Sequence, residues 1–514
     1  MVLSQWIRSE WRTLLLVAFG VLLQLLLVFR PIDVLIVNTL PDDAFYYFEV
    51  ARNIALGAGS TFDGLNPTNG YHPLWMVVLI GIFSLVGDRG PIYAALFLQI
   101  ALNAATALLV SRILTRFTES RNLRALGLFI WLFNPFLLYE TVNGLETSLS
   151  LFLFSLFFLL ALRLEEGKSS NHLLLGSVAG LMILARLDLA LYLAAYLLWV
   201  FVRRRSVDGF RRVFAMGIAA SLFVFPWFLW NQVNFGTPMT SSSIAATLVN
   251  HQLIVQDHGM SWFQTGKAVV YNTQYELDKL FERTGMYAIA CAFFGVAAAL
   301  GVLGFMQIPS RIALLTVTQV LAVGFAALFF GNAGLRWTAR SWYFVSFNLF
   351  LAILSVSALD VLFARMYETR WKWAAGAALA CAVVFSFGVD WSKNQRRGSM
   401  PQHSMMYNAT LWMNDNLPKG SVIGVFNAGI QGYFSAHTLI NLDGTVNNNA
   451  LEALHRRELW TYVKSSHIQY VSDFPLYLKY RYKSFLDTED VFKELVLIKR
   501  FGDTQEGLSI WRVK

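Results

Sequence analysis

The sequence predicts an α-helical polytopic membrane protein of about eleven crossing helices, with a C-terminal α/β domain outside the bilayer. Three observations predict it. Of 514 residues, 56% are hydrophobic and only 14% charged, and mean hydropathy is +0.50, which excludes an ordinary soluble chain. The basic residues fall in short clusters between apolar runs. Beyond Asp390 the long apolar runs stop, and charges, turns and short strand-like segments take over.

A helix needs ~20 apolar residues to cross a bilayer, and every backbone group within it must be paired internally. The first run, 14–29, is apolar except for Gln24 and follows Arg8 and Arg12. No small-residue cleavage site follows it, so it is expected to remain as an anchor. The loops around 112–124, 163–168, 203–212, 311 and 365–372 are basic and are expected to face the cytoplasm. Spans at 13–30, 91–111, 123–139, 147–162, 172–185, 187–202, 213–231, 286–306, 311–331, 341–362 and 373–389 satisfy all of them. The N-terminus is then cytoplasmic and the C-terminus outside. The apolar run 74–86 is too short to cross comfortably and is expected as an interfacial or re-entrant helix. The net charge of +9 and isoelectric point near 9.4 reflect this loop pattern rather than a nucleic-acid footprint. Cys291 and Cys381 both lie in apolar runs, which argues against a disulfide framework or a cysteine zinc site.

This topology collects the unusual polar residues on the external face. The first loop, 31–90, carries Asp42, Asp43, Glu49, Arg52, Asp63, Asn69 and His72. Glu140, Asn143 and Glu146 lie on the next loop, and Arg186 and Asp188 on a short turn. The loop at 332–340 holds Arg336, Trp337 and Arg340. Paired carboxylates beside a helix exit are costly in apolar surroundings and call for a use. The plainer alternative is that Asp42 and Asp43, behind Pro41, cap a surface helix. Likewise Glu146 could merely cap the next helix, and Arg186 and Asp188 could be a neutralised pair at membrane depth.

The order of acidic pair, aromatic run, Ala51-Arg52-Asn53, Gly57-Ala58-Gly59 and Pro73-Leu74-Trp75 resembles the first external loop of the GT-C superfamily of membrane glycosyltransferases. Its branches include lipid A aminoarabinose transferases, protein O-mannosyltransferases and mycobacterial arabinofuranosyltransferases. Asn143-Gly144-Leu145-Glu146 is similar, more loosely, to the second acidic loop of oligosaccharyltransferase catalytic subunits. The resemblance covers the first third of the chain and then only helix count and topology. It departs at Tyr71-His72-Pro73, where the aminoarabinose branch has Lys-Pro-Pro, which leaves the phosphate contact open.

The resemblance implies an inverting glycosyltransferase of a bacterial inner membrane. The donor would be a polyprenyl-phosphate-linked sugar and the acceptor an extracytoplasmic glycan, lipid or protein. Such an enzyme needs a base for the acceptor hydroxyl and cations for the departing phosphate. Asp42 is expected as the base, with Asp43 orienting it or sharing a divalent cation, Mg²⁺ or Mn²⁺. Arg340 and Arg336 are the expected phosphate contacts, arginine forks suiting phosphate oxygens, with His72 third. Glu140, Asn143, Glu146, Arg186 and Asp188 are substrate or metal candidates. The competing class is a transporter or flippase of lipid-linked sugars, which would need ionisable residues near mid-bilayer on broken helices. A non-catalytic scaffold has no reason to set paired carboxylates opposite arginines.

From these readings residues 1–390 form the membrane domain and 391–514 the external domain. A helix is expected over 402–417 and another near 449–465, with strands at 421–426, 438–442, 468–471, 495–500 and 508–513. Asn427-Ala428-Gly429-Ile430-Gln431-Gly432 lacks the full spacing of a phosphate loop and is expected to be a turn at a strand end. Asn427, Asp443 and Asn447 are the polar residues of interest there.

Overall fold

The computed structural model describes residues 2–87, 90–258, 266–267, 270, 272–274, 309–335, 340–365 and 369–514. Among them, six helices are long and apolar enough to cross a membrane: Glu10–Val28, Pro91–Leu114, Thr147–Glu165, Val207–Phe235, Thr316–Ala333 and Phe347–Ala364. Pro73–Val86 and His172–Ala185 are shorter apolar helices. The expected span at 286–306 and Cys291 lie outside the described residues.

Several expected spans differ in their limits, the 213–231 span running over Val207–Phe235 for one. The 123–139 run breaks into Arg121–Leu132 and Pro135–Glu140, because Pro135 lacks an amide hydrogen and the Asn134 side chain caps the second piece, accepting from the Phe136 N–H at 3.0 Å. The 341–362 span begins later, at Phe347, because Ser341–Phe344 winds as a 3₁₀ turn. The last helix runs from Thr369 to Arg397, past the expected boundary at 390. The 172–202 stretch is two helices, His172–Ala185 and Ala190–Arg203, joined by a 3₁₀ turn over Leu187–Leu189, as expected.

The C-terminal domain, called the external domain for the side expected of it, holds a mixed five-stranded sheet, in strand order β2-β1-β3-β5-β4. The strands are β1 (Val422–Val425), β2 (Thr438–Asn441), β3 (Tyr470–Asp473), β4 (Leu495–Phe501) and β5 (Leu508–Val513). β1 pairs parallel with β2 and β3, and β5 pairs antiparallel with β3 and β4. Helices Gln402–Asn416, Asn448–Arg456 and Leu459–Ser465 accompany it, the expected 449–465 helix being broken near Arg457, which takes φ 57°.

The domain is not a separate body tethered to the membrane part. Asp42–Ala55 is a helix whose buried Ala44, Phe45, Phe48 and Ala51 recur at helical spacing. Phe45 is wholly buried and packs at 5.7 and 5.5 Å against the rings of Tyr433 and Phe434 of the external domain. Burying a phenylalanine this way stabilises the junction by roughly 1.5–3 kcal/mol. One hydrophobic core therefore runs from the first external loop through Met406, Ile423, Ile430 and Leu508. Ser399 and Met400 add backbone bonds, their N–H groups donating to the Val37 carbonyl at 3.1 and 2.9 Å.

Candidate active site

The acidic pair opens the Asp42–Ala55 helix, but neither carboxylate caps it; Pro41 holds the cap position with no side-chain hydrogen bond. Asp42 instead reaches into the external domain. Its Oδ2 accepts from the Gly429 N–H at 3.2 Å and its Oδ1 from the Ile430 N–H at 2.7 Å. One turn on, the Tyr46 hydroxyl accepts from the Ala428 N–H at 2.9 Å and donates to the Phe426 carbonyl at 3.1 Å. Asp42 is 8% exposed. Burial pushes its carboxyl up to about 7, outweighing the two amides that favour the charged form, with the neighbouring Asp43 adding to the rise.

The expected turn at 427–432 is in fact the start of a helix, Ala428–Phe434, directly after β1. Two glycines and a β-strand before them read as a turn, but the helix's first amides find acceptors on a distant segment, which sequence cannot display. Gly429 is required there: a Cβ would lie 2.1 Å from the Asp42 carbonyl oxygen.

Asp42 and Asp43 both line a cavity of about 760 Å³ between the membrane and external domains. Glu140, Arg340, Ser341 and Trp342 line it from the membrane side, Lys393 and Asn394 from the last helix, and His403, Asn427 and Tyr477 from the external domain. Asp43 is buried enough that its carboxyl rises above the ordinary range; Arg340 opposes the rise, Glu146 adds to it and Arg481 opposes it. Arg340 precedes the Ser341–Phe344 turn, which is tied down by Ser341 Oγ donating to Glu140 Oε1 at 2.7 Å. Asn143 Nδ2 donates to Glu140 Oε2 at 3.2 Å. Gly144, at φ +81°, tucks this loop under the acidic helix, where Phe48 leaves no room for a Cβ. The structure thus brings Asp42, Asp43, Glu140 and Arg340 onto one cavity, with Asn143 behind Glu140. Arg336 lies outside the described residues.

Behind the cavity lies a buried ion network. Arg186 Nη1 donates to Glu146 Oε1 at 2.8 Å, and Nη2 to Asp188 Oδ2 at 2.6 Å. Its guanidinium lies 4.6 Å from the centre of the Tyr343 ring. Glu146 holds the cap position of Thr147–Glu165 without capping it, because its carboxylate is committed to Arg186. His72 Nε2 is 3.9 Å from Glu146 Oε1, too far for a hydrogen bond, and burial lowers its pKa. His72, Glu146, Arg186 and Asp188 are not among the residues lining the cavity.

Sequence reasoning passed over Lys393, His403, Tyr477 and Arg481. Tyr477 and Arg481 lie on one π-helical turn, Tyr477–Arg481, whose five-residue period no sequence pattern announces. Of the residues watched in the external domain, Asn427 lines the cavity. Asp443 accepts from the Thr445 N–H at 2.8 Å, and Asn447 caps Asn448–Arg456; both are structural turns. Among the described residues no three His, Cys, Asp or Glu side chains converge as a cation cage. The pair expected to share Mg²⁺ or Mn²⁺ has Asp42 engaged by amides and Asp43 on the same cavity as Arg340, a set that suits an anion better than a cation.

A family model described as a domain of unknown function (DUF8728) matches residues 394–511. No curated protein matches the chain. Solved structures do match. The oligosaccharyltransferase of Archaeoglobus fulgidus, tethered to an acceptor peptide containing the NVT sequon via a disulfide bond, is 15% identical over 94% of this chain and 72% of its own, with a TM-score of 0.59. ArnT from Cupriavidus metallidurans bound to undecaprenyl phosphate is 14% identical over 98% of both chains, with a TM-score of 0.58. The same enzyme in its apo state gives 12% identity and 0.58 over 100% of this chain and 98% of its own. This chain has the fold of these oligosaccharyltransferase and ArnT structures.

Proposed function

We propose that this GT-C-fold membrane protein is a glycosyltransferase that moves a sugar, with inversion, from a polyprenyl-phosphate carrier to an acceptor hydroxyl on the outer face of a bacterial inner membrane. The observation that carries the reading is one cavity onto which a half-buried carboxylate, Asp43, and an arginine, Arg340, both open. The ArnT neighbour holds undecaprenyl phosphate, and the oligosaccharyltransferase neighbour holds an acceptor peptide, so both ends of such a reaction occur on this fold.

The acceptor oxygen attacks the anomeric carbon as its proton passes to a carboxylate. The bond from that carbon to the phosphate oxygen breaks on the opposite face, and the phosphate leaves as an anion. Arg340, exposed on the cavity wall, holds that developing charge. Asp43 is the better placed base. Both Asp42 oxygens already accept amide hydrogens, whereas Asp43 faces the arginine. Its carboxyl, raised by burial, takes up a proton more readily than an ordinary aspartate, as a base must. Lys393, also on the cavity wall, is a second cation for the phosphate.

The test is transfer from a polyprenyl-phosphate sugar by purified wild type, Asp43→Asn and Asp42→Asn. Loss of a general base lowers the rate by about 10²–10⁴-fold. Near-normal turnover in Asp43→Asn sinks its assignment.

A further inference from the structure

The chain's progress across the external domain's sheet reverses at β1, which has β2 on one side and β3 on the other. In open sheets the crevice beyond the strand ends at such a point is where ligands settle, because helix-start amides there lack partners. In this chain five consecutive amides leave β1 toward that crevice, and each is engaged. Phe426 and Asn427 donate to Asp473 Oδ2, each at 2.9 Å. Ala428 donates to the Tyr46 hydroxyl, and Gly429 and Ile430 to Asp42. The domain supplies an acceptor for the first two; the membrane domain supplies the other three.

We propose that Asp42 is a positioning residue, an intramolecular ligand of the external domain's switch point that seats this domain over the active site and fixes Asp43 on the cavity. This rests on the reading of Asp43 as the base. Asp43 follows Asp42 on the same helix, about 100° around its axis, so clamping one carboxylate orients the other. The fit is built from both sides, since any side chain at Gly429 would meet the Asp42 backbone at 2.1 Å. The role of the domain matched by DUF8728 is then to complete the active site rather than to stand beside it.

The test uses the full chain in nanodiscs, with spin labels at Leu56→Cys and Lys419→Cys, both exposed, in a Cys291→Ser/Cys381→Ser background. Asp42→Asn should broaden the inter-label distance distribution and lower kcat by roughly 10- to 100-fold, the loss expected when a hydrogen bond to a charged group goes. Binding of undecaprenyl phosphate should stay within about two-fold, because the arginine that would hold the phosphate is untouched. Gly429→Ala should give the same distances and the same kcat loss from the other side of the contact. Asp43→Asn should keep the narrow distribution while losing turnover more deeply. A narrow distribution in Asp42→Asn and Gly429→Ala overturns the clasp. Should Asp42→Asn keep that distribution and lose turnover as deeply as Asp43→Asn, Asp42 is itself the base. If wild type transfers no sugar at all, the functional reading fails, while the label distances still decide the clasp.

Discussion

Removing the charge of Arg186 should destabilise the protein more than any other single change at the site. The side chain is 3% exposed and touches Glu146 at 2.8 Å, which is itself 2% exposed, and Asp188 at 2.6 Å. At 2.8 Å and an effective dielectric near 20, the gross attraction to Glu146 is about 6 kcal/mol, offset in the intact pair by the cost of taking both ions out of water. Arg186→Met keeps much of the length and leaves Glu146 buried without its partner. Breaking a buried pair in this way costs about 3–5 kcal/mol, against a total stability for a typical domain of about 5–15 kcal/mol. The assay is the midpoint of heat-induced loss of monodisperse protein in detergent, compared with Glu146→Gln/Arg186→Met, in which that uncompensated charge is gone. The double variant should recover a large part of the loss. An unchanged midpoint in Arg186→Met, or a double variant no better than the single, refutes the argument that Glu146 depends on Arg186 for its charge.

Arg340→Ala should weaken undecaprenyl-phosphate binding by roughly 10- to 100-fold, and Arg340→Lys should recover only part, because the planar fork is lost; unchanged affinity in both would move the phosphate contact to Lys393. The pH profile of kcat/KM should rise through an acid limb above the ordinary aspartate range, since Asp43 must be ionised to act and its carboxyl is raised by burial; a limb at the ordinary position argues against it. Asp42, Glu49 and Asp473 are each pushed up to about 7 by burial, so the folded chain keeps protons the unfolded chain has lost. Heat stability should therefore fall as pH rises from about 4 toward 7, and Asp42→Asn should flatten that fall. Reporters fused after Arg205 and Lys372 should read cytoplasmic, and those after Asp257 and Lys514 external; a cytoplasmic Lys514 would put the cavity on the wrong side of the membrane.

Local chemistry carried much of this into the sequence. Apolar runs of spanning length and strand-sized alternations are written in consecutive residues, so most helices and all five strands emerged near their observed limits. The acidic pair stood out because two adjacent carboxylates beside a helix exit have few cheap explanations. What Asp42 touches was hidden, because its partners Gly429 and Ile430 lie almost four hundred positions away, and an amide donor has no letter of its own. The same holds for Glu146. Its position before a helix reads as a cap, and only the fold brings Arg186 to it. Asn134-Pro135 was the reverse case, a break signal present in the residues and overridden by the hydropathy around it.

The last helix of the membrane domain, Thr369–Arg397, is 29 residues of unbroken rod, about 43 Å long. It reaches the cavity without a joint. Asp390, Lys393 and Asn394, spaced to share one face, are presented to the cavity by its far end. The rod therefore works as a gauge block. It sets the bearing of three side chains at once. One inserted residue anywhere along 373–389 would turn that end by about 100° and lift it by 1.5 Å, swinging Lys393 off the cavity. Substitutions on its lipid-facing side should be tolerated freely, whereas single insertions or deletions should be lethal to turnover even where every side chain at the cavity is intact.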